Sequence, residues 1–325
     1  MMAIKEMRAC ALLAIILMMA NYSSFSQGER FRNGLFYSEL INNPSLPGVE
    51  SNLNANLVFK SPMNNSTAGL QKDVAFEANG PLGEGTSGGL FFIKQSAGIL
   101  SKQYMLLNYA TDIKISSNLH FKTGVAFGFR NISLDQEVIS QSYSSFFGNA
   151  SDPVVLAYAS KPPTFFTSLG LTFFTKNLDV QLVAPNLSNY FKSADSSAFE
   201  DKPIHVGLGY LIPFRQNRLL GDNSVLKVQV GYSKNLLSYQ QQNTISAGAT
   251  LSTSQGVSVE FFYNTSGSMN GGIGFDISEK YSVHINYLMG GTNSSIIYGN
   301  SGQAILGFRF KLPKTKFYKK QNTAL

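Results

Sequence analysis

From residue 119 to residue 130 the chain alternates without a break between apolar positions and small or polar ones. Leu119, Phe121, Thr123, Val125, Phe127 and Phe129 take one side of an extended strand. His120, Lys122, Gly124, Ala126, Gly128 and Arg130 take the other. Successive strand side chains point to opposite faces, so this order makes one apolar face and one small or polar face; a helix would mix the two sets all round. The length is close to the ~9–11 residues that a tilted strand needs to cross a bilayer.

The same period of two returns along the chain. Ile204, Val206, Leu208, Tyr210 and Ile212 oppose His205, Gly207 and Gly209, and Leu226, Val228, Val230 and Tyr232 oppose Lys227, Gln229 and Gly231. Comparable runs cover 244–251, 257–264 and 281–287, several with Tyr or Phe near one end, where an interfacial aromatic girdle belongs. Weaker segments at 52–60, 73–78, 88–94, 104–115, 164–174, 178–183, 272–277 and 303–312 bring the expected number of strands to fourteen. Single-chain bacterial barrels need an even number. Short links at 116–118, 175–177, 252–256 and 278–280 alternate with longer ones at 135–163, 184–203 and 290–300. That is the order of short periplasmic turns and longer outer loops, and it puts both chain ends in the periplasm. The link at 214–224 is long for a periplasmic turn.

The expected fold is therefore all-β, a transmembrane antiparallel β-barrel. Its rival is a secreted β-sandwich or jelly roll, which also alternates but turns one face of each strand to water and carries charge there. Here the weaker face is rich in Gly, Ser, Thr and Asn, and only 14% of residues are charged, against ~25% in soluble domains. A mean hydropathy of -0.02 fits strands whose lipid-facing and lumen-facing residues cancel.

The N-terminus sets the compartment. Lys5 and Arg8 precede an apolar run from Cys10 to Ala20, followed by Ser24-Phe25-Ser26. A charged segment, an apolar core and a small-x-small site read as a cleaved signal peptide, 1–26, with the mature start near Gln27. The run is short of the ~20 residues of a spanning helix. Cys10 is the chain's single cysteine, so the mature protein is expected to have no disulfide and no thiolate chemistry. The net charge of +7, falling to +6 once Lys5, Glu6 and Arg8 leave, gathers in the basic tail at Lys311, Lys314, Lys316, Lys319 and Lys320. No basic patch or nucleic-acid motif accompanies it, and no nucleic-acid partner is expected.

Catalytic signatures are missing: there is no HExxH, GxSxG, phosphate loop or dinucleotide fingerprint. His120, His205 and His284 fall on the inward face of separate strands and read as polar lumen residues more readily than as a metal site. No catalytic residue, metal or cofactor is expected. Asp112, Lys114, Lys122, Arg130, Lys227, Glu260, Asp276, Arg309 and Lys311 share that face. Their mixed signs suit a structural network better than an ion-selective pore. Residues 27–51 do not alternate, and Asn42-Asn43-Pro44-Ser45-Leu46-Pro47-Gly48 is turn-rich. This segment is expected to be either a periplasmic lead-in or a plug in the lumen, ahead of a barrel at 52–312 and a basic periplasmic tail at 313–325.

Four segments, in order and spacing, resemble one family. Asn43-Pro44-Ser45-Leu46-Pro47-Gly48 resembles an Asn-Pro-Ala-x-Ala-Gly lead-in, departing at Ser45 and Pro47. Gly89-Leu90-Phe91-Phe92 with Ala97-Gly98 resembles its early hairpin, and Asp179 to Leu187 its strand ending in a Pro-Asn-Leu turn. Gly299 to Gln303 through Gly307-Phe308-Arg309-Phe310 resembles its final strand, with Gln303-Ala304 where the family has His-Glu. The chain thus resembles the PorP/SprF membrane proteins of the type IX secretion system. The resemblance implies a non-enzymatic outer-membrane barrel that helps export or surface-anchor a secreted protein bearing a type IX C-terminal sorting domain, such as a gliding adhesin. Other type IX components are implied as further partners. The loop at 135–163, with Tyr143, Phe146 and Phe147, is the candidate partner contact, since loop aromatics are enriched at interfaces. The alternative is an outer-membrane transporter for hydrophobic small molecules, which requires an apolar pocket inside the barrel. An outer-membrane hydrolase would require Ser and His within hydrogen-bond reach.

Overall fold

The structure, a computed structural model, describes residues 43–48, 53–62, 72–97, 100–134, 163–191, 203–214, 224–235, 243–265, 268–289 and 302–312. The strands are β1 (Leu53–Pro62), β2 (Lys72–Gly83), β3 (Thr86–Ala97), β4 (Leu100–Lys114), β5 (Leu119–Leu134), β6 (Thr164–Thr175) and β7 (Leu178–Ala184). They continue as β8 (Pro203–Phe214), β9 (Ser224–Asn235), β10 (Asn243–Ser252), β11 (Val257–Asn264), β12 (Met269–Ser278), β13 (Tyr281–Met289) and β14 (Gln303–Leu312). A one-turn helix, α1 (Leu187–Tyr190), follows β7 after Asn186, whose backbone is left-handed at φ 59.

Every strand pairs antiparallel with its sequence neighbour, and β14 pairs with β1 from Leu53↔Leu312 to Pro62↔Gln303. The sheet is a closed barrel, as the alternation predicts. Closure matters because an open sheet edge in hydrocarbon leaves backbone N–H and C=O groups without partners. All fourteen expected segments form strands, some longer than the alternation suggests. β2 runs on through Gly80 and Pro81 to Gly83, with an irregularity in its pairing between Pro81 and Gly83. Proline is tolerated at such a strand end, where a ladder bond is already missing.

The two barrel ends differ. One carries the links 84–85, 115–118, 176–177, 253–256 and 279–280; the other carries 63–71, 135–163, 185–202, 236–242 and 290–302. Three links depart from this division: 215–223 lies at the short-turn end, and 98–99 and 265–268 lie at the long-loop end. In barrels of this kind the short turns face the periplasm.

The outer surface is a belt of large apolar side chains that are open to the surroundings, among them Met105, Leu107, Phe127, Phe129, Phe165, Leu208, Phe261 and Ile285. Phe121 stacks tilted on Phe173 at 4.6 Å, and Phe129 meets Phe165 edge-on at 5.9 Å, tying β5 to β6 across this belt. A soluble protein does not expose a continuous apolar girdle, whereas a bilayer covers it at about 1.5–3 kcal/mol per large side chain. The buried groups are the inverse: Asn54, Asn56, Lys60, Asp73, Glu77, Asn79, Lys122, Glu260, Asn270 and Asn286 all point inward. This polarity is opposite to that of a sandwich core, and it disposes of the soluble alternative.

One region inside the wall is apolar. Val58, Ala75, Phe91, Ile93, Leu106 and Ile305 pack together, with Tyr104, Phe166 and Leu288 against them. Phe91 and Ile93 lie inward while Phe92 faces out, so β3 is apolar on both faces.

Candidate functional site

The most constructed part of the lumen surrounds Asn43–Gly48. Pro44 and Pro47 fix two backbone φ angles, and the Asn43 side chain closes the turn locally. Its Oδ1 accepts from the Ser45 backbone N–H at 3.0 Å and from the Ser45 hydroxyl at 2.7 Å. The Leu46 N–H donates to the Asn43 carbonyl at 3.1 Å. Asn43 and Ser45 have no exposed surface, and Pro44 and Pro47 are buried with them.

The turn runs along the inside of the wall from β7 to β3, in the part nearest the short turns. Asn43 Nδ2 donates to Thr172 Oγ1 on β6 at 2.9 Å and to Gln181 Oε1 on β7 at 3.1 Å. The Ser45 and Thr172 hydroxyls are 2.6 Å apart. Asn108 on β4 donates to the Pro44 carbonyl at 2.7 Å. Ser87 on β3 and Lys122 on β5 donate to the Pro47 carbonyl at 2.6 and 3.2 Å. Five consecutive strands thus satisfy the polar groups of one short turn, which burial would otherwise penalise.

The wall is also recessed for it. A Cβ on Gly124 of β5 would stand 2.0 Å from the Pro44 carbonyl oxygen, and one on Gly170 of β6 would stand 2.1 Å from Asn43 Oδ1. Only glycine permits that approach. The two glycines face each other in the β5–β6 register, so the recess is one continuous notch across two strands.

From this seat a polar chain leads onward. Gln181 Nε2 donates to Asp179 Oδ1 at 2.8 Å, and Lys227 Nζ on β9 lies 3.4 Å from Asp179 Oδ2. Other inward charges are also engaged. Asp112 meets His120 Nδ1 at 3.2 Å, and His120 stacks on Phe174 at 5.0 Å. Lys60 pairs with Asp73 at 3.7 Å, Arg309 donates to Asn56 at 3.1 Å, and Asn270 and Asn286 both donate to Glu260 Oε1.

His120, His205 and His284 lie inward on β5, β8 and β13 with separate neighbours. His205 Nδ1 is 2.5 Å from the Ser233 hydroxyl, the Ser–His contact that the hydrolase alternative requires; the two are cross-strand partners of β8 and β9, and the sequence around Ser233, Gly231-Tyr232-Ser233-Lys234-Asn235, is not G-x-S-x-G. Among the described residues no three His, Cys, Asp or Glu side chains are placed to hold a metal ion. The loop residues Tyr143, Phe146 and Phe147 lie outside the described residues, as do 1–42 and the tail at 313–325. Outside the spanning strands, partial burial pushes the Tyr190 hydroxyl of α1 up to about 12. Thr172, Gln181, Asn108 and Ser87 were not singled out by sequence, and their only local signal is a polar residue on the small face of a strand.

An apolar outer belt around a closed, polar-lined barrel defines an outer-membrane β-barrel protein. Within that class the chain belongs to the family of the type IX secretion system membrane protein PorP/SprF, whose model matches residues 24–304. It is an outer-membrane component of that system. No curated protein matches the chain. Among solved structures, the Acinetobacter baumannii outer membrane protein Omp33 is similar, with a TM-score of 0.50 at 7% identity over 82% of this chain and all of that one. At that identity the likeness is one of fold. The CymD monoaromatic hydrocarbon channel gives a TM-score of 0.41 at 11% identity, over 81% of this chain and 88% of that one.

Proposed function

We propose that this protein is a non-enzymatic barrel that helps export a secreted partner or holds it on the cell surface. The partner is a surface protein carrying a type IX C-terminal sorting domain. The observation that carries this reading is family membership along residues 24–304. The site chemistry supports it: inward groups around the Asn43–Gly48 turn and beside it hold one another in hydrogen bonds, as Ser45 and Thr172 do and as Asp112 and His120 do. The long links at 135–163 and 185–202 are the surface on which a partner would dock, with Tyr143, Phe146 and Phe147 as its aromatic contacts.

A second reading, transport of hydrophobic small molecules, draws on the inward cluster of Phe91, Ile93, Leu106 and Ile305. These side chains are packed together and buried to within a few per cent, which suits a filled core better than a binding cavity. The test is purification of the tagged barrel from its native membrane in mild detergent, with identification of whatever accompanies it. A stoichiometric large surface protein or type IX component supports the first reading. A barrel that returns alone with lipid or a small apolar ligand overturns it in favour of the second.

A further inference from the structure

We infer that the Asn43–Gly48 turn is a fixed stopper in the lumen, so that nothing is carried through the barrel and a partner is met at its rim. The last clause rests on the proposed function; the stopper itself does not.

Three observations carry the inference. The turn's side chains and carbonyls are bonded by Ser87, Asn108, Lys122, Thr172 and Gln181, one from each of β3 to β7. Asn43 and Ser45 are fully buried, so water does not replace these bonds while the turn is in place. The wall opposite the turn is cut to its shape at Gly124 and Gly170, where any larger side chain collides with Pro44 or Asn43. A segment that swung in and out would need neither the notch nor five separate donors and acceptors. A barrel of fourteen strands also has a bore between the filled interiors of eight-strand barrels and the aqueous channels of porins. A buried turn held by five of the fourteen strands lies within such a bore, and the Asp179–Lys227 bridge continues the polar network to β9.

Two experiments on the full-length protein test this. In the first, Ser45→Cys is combined with Thr172→Cys, whose native hydroxyls are 2.6 Å apart, in a chain whose one native cysteine is Cys10. The pair should oxidise in the outer membrane, and surface display of the partner should match wild type with or without reductant. Display that is lost on oxidation and restored by reduction shows that the turn must move, and overturns the inference. In the second, Gly124→Leu with Gly170→Leu evicts the turn, and single-channel current is recorded in planar bilayers. Wild type and the oxidised cysteine pair should stay closed, while the evicted barrel should open in discrete steps at least tenfold larger. Steady conductance from wild type, or silence from an evicted barrel that retains heat-modifiable mobility on gels, overturns the stopper. A deletion strain separates the two proposals: display that persists without the protein sinks the anchoring role and leaves the current recordings to decide the stopper.

Discussion

Ser45 and Thr172 stand 127 residues apart in sequence, yet their hydroxyls meet at 2.6 Å inside the barrel. Thr172 also accepts from Asn43, so a single hydroxyl serves two members of the turn. Replacing it should therefore orphan more than one group. Thr172→Val keeps the shape and removes the hydroxyl, and is expected to cost about 1–3 kcal/mol, because buried partners are left unsatisfied. The urea midpoint of the barrel in micelles would report this, with Thr172→Ser recovering most of the loss.

The lipid belt gives a second prediction. Phe127 lies midway along β5 with its ring facing out. Phe127→Arg puts a guanidinium near the centre of the bilayer, and should destabilise the barrel by about 2–4 kcal/mol. The same change at Ile113, which faces out at the short-turn end of β4, should cost less, since the penalty falls toward the interface. Unfolding titrations in lipid vesicles separate the two.

Lys60 and Asp73 form a buried ion pair between β1 and β2, both almost without exposed surface. Removing one partner takes the ion pair from the other, so Lys60→Met or Asp73→Leu alone should cost up to about 3–5 kcal/mol. Gln95 also donates to Asp73, which adds to the loss when the carboxylate goes. The double substitution should be milder than either single one, and a double-mutant cycle on the urea midpoints measures that coupling.

Tyr190 offers a pH signature away from the membrane strands. Burial raises its pKa to about 12. The folded state then holds the proton more tightly than the unfolded one, so this contribution to stability is full below about pH 10 and is lost as pH rises toward about 12. A difference titration of tyrosinate absorbance between wild type and Tyr190→Phe should place the missing step above the bulk of the tyrosines. A missing step at ordinary tyrosine pH contradicts it.

The barrel was legible in the sequence because a two-faced strand writes its faces locally. Leu119 to Arg130 alternates completely, and β5 puts those residues where the alternation says. β3 was less legible for a physical reason. Leu90-Phe91-Phe92-Ile93 has no polar face because Phe91 and Ile93 pack into the apolar cluster inside the wall. β2 reads short in the sequence, where Gly80 and Pro81 signal an end, whereas the pairing carries on past them to Gly83↔Thr86. The seat was the least legible part. Asn43–Gly48 announces a turn through its own residues, but its partners at Ser87, Asn108, Lys122, Thr172 and Gln181 are distant in the chain and individually ordinary. Gly124 reads as a member of a small inward face and Gly170 as part of a weaker strand, and nothing local distinguishes a glycine that lines a lumen from one that admits another backbone. The Asp179–Lys227 bridge lay within reach: Asp179 alternates with Val180, and its parity already puts it on the inward side with Gln181.

The pairing of β1 with β14 joins the first strand to the last. Until Gln303–Leu312 has been synthesised, the sheet has two raw edges and no way to satisfy them in hydrocarbon. A nascent chain therefore cannot enter the membrane strand by strand as it emerges, and the whole polypeptide must reach the bilayer before its circle can be drawn shut. A stop codon anywhere ahead of residue 303 is accordingly not a shortened barrel but an unfinished one, fit for the periplasmic proteases rather than the membrane.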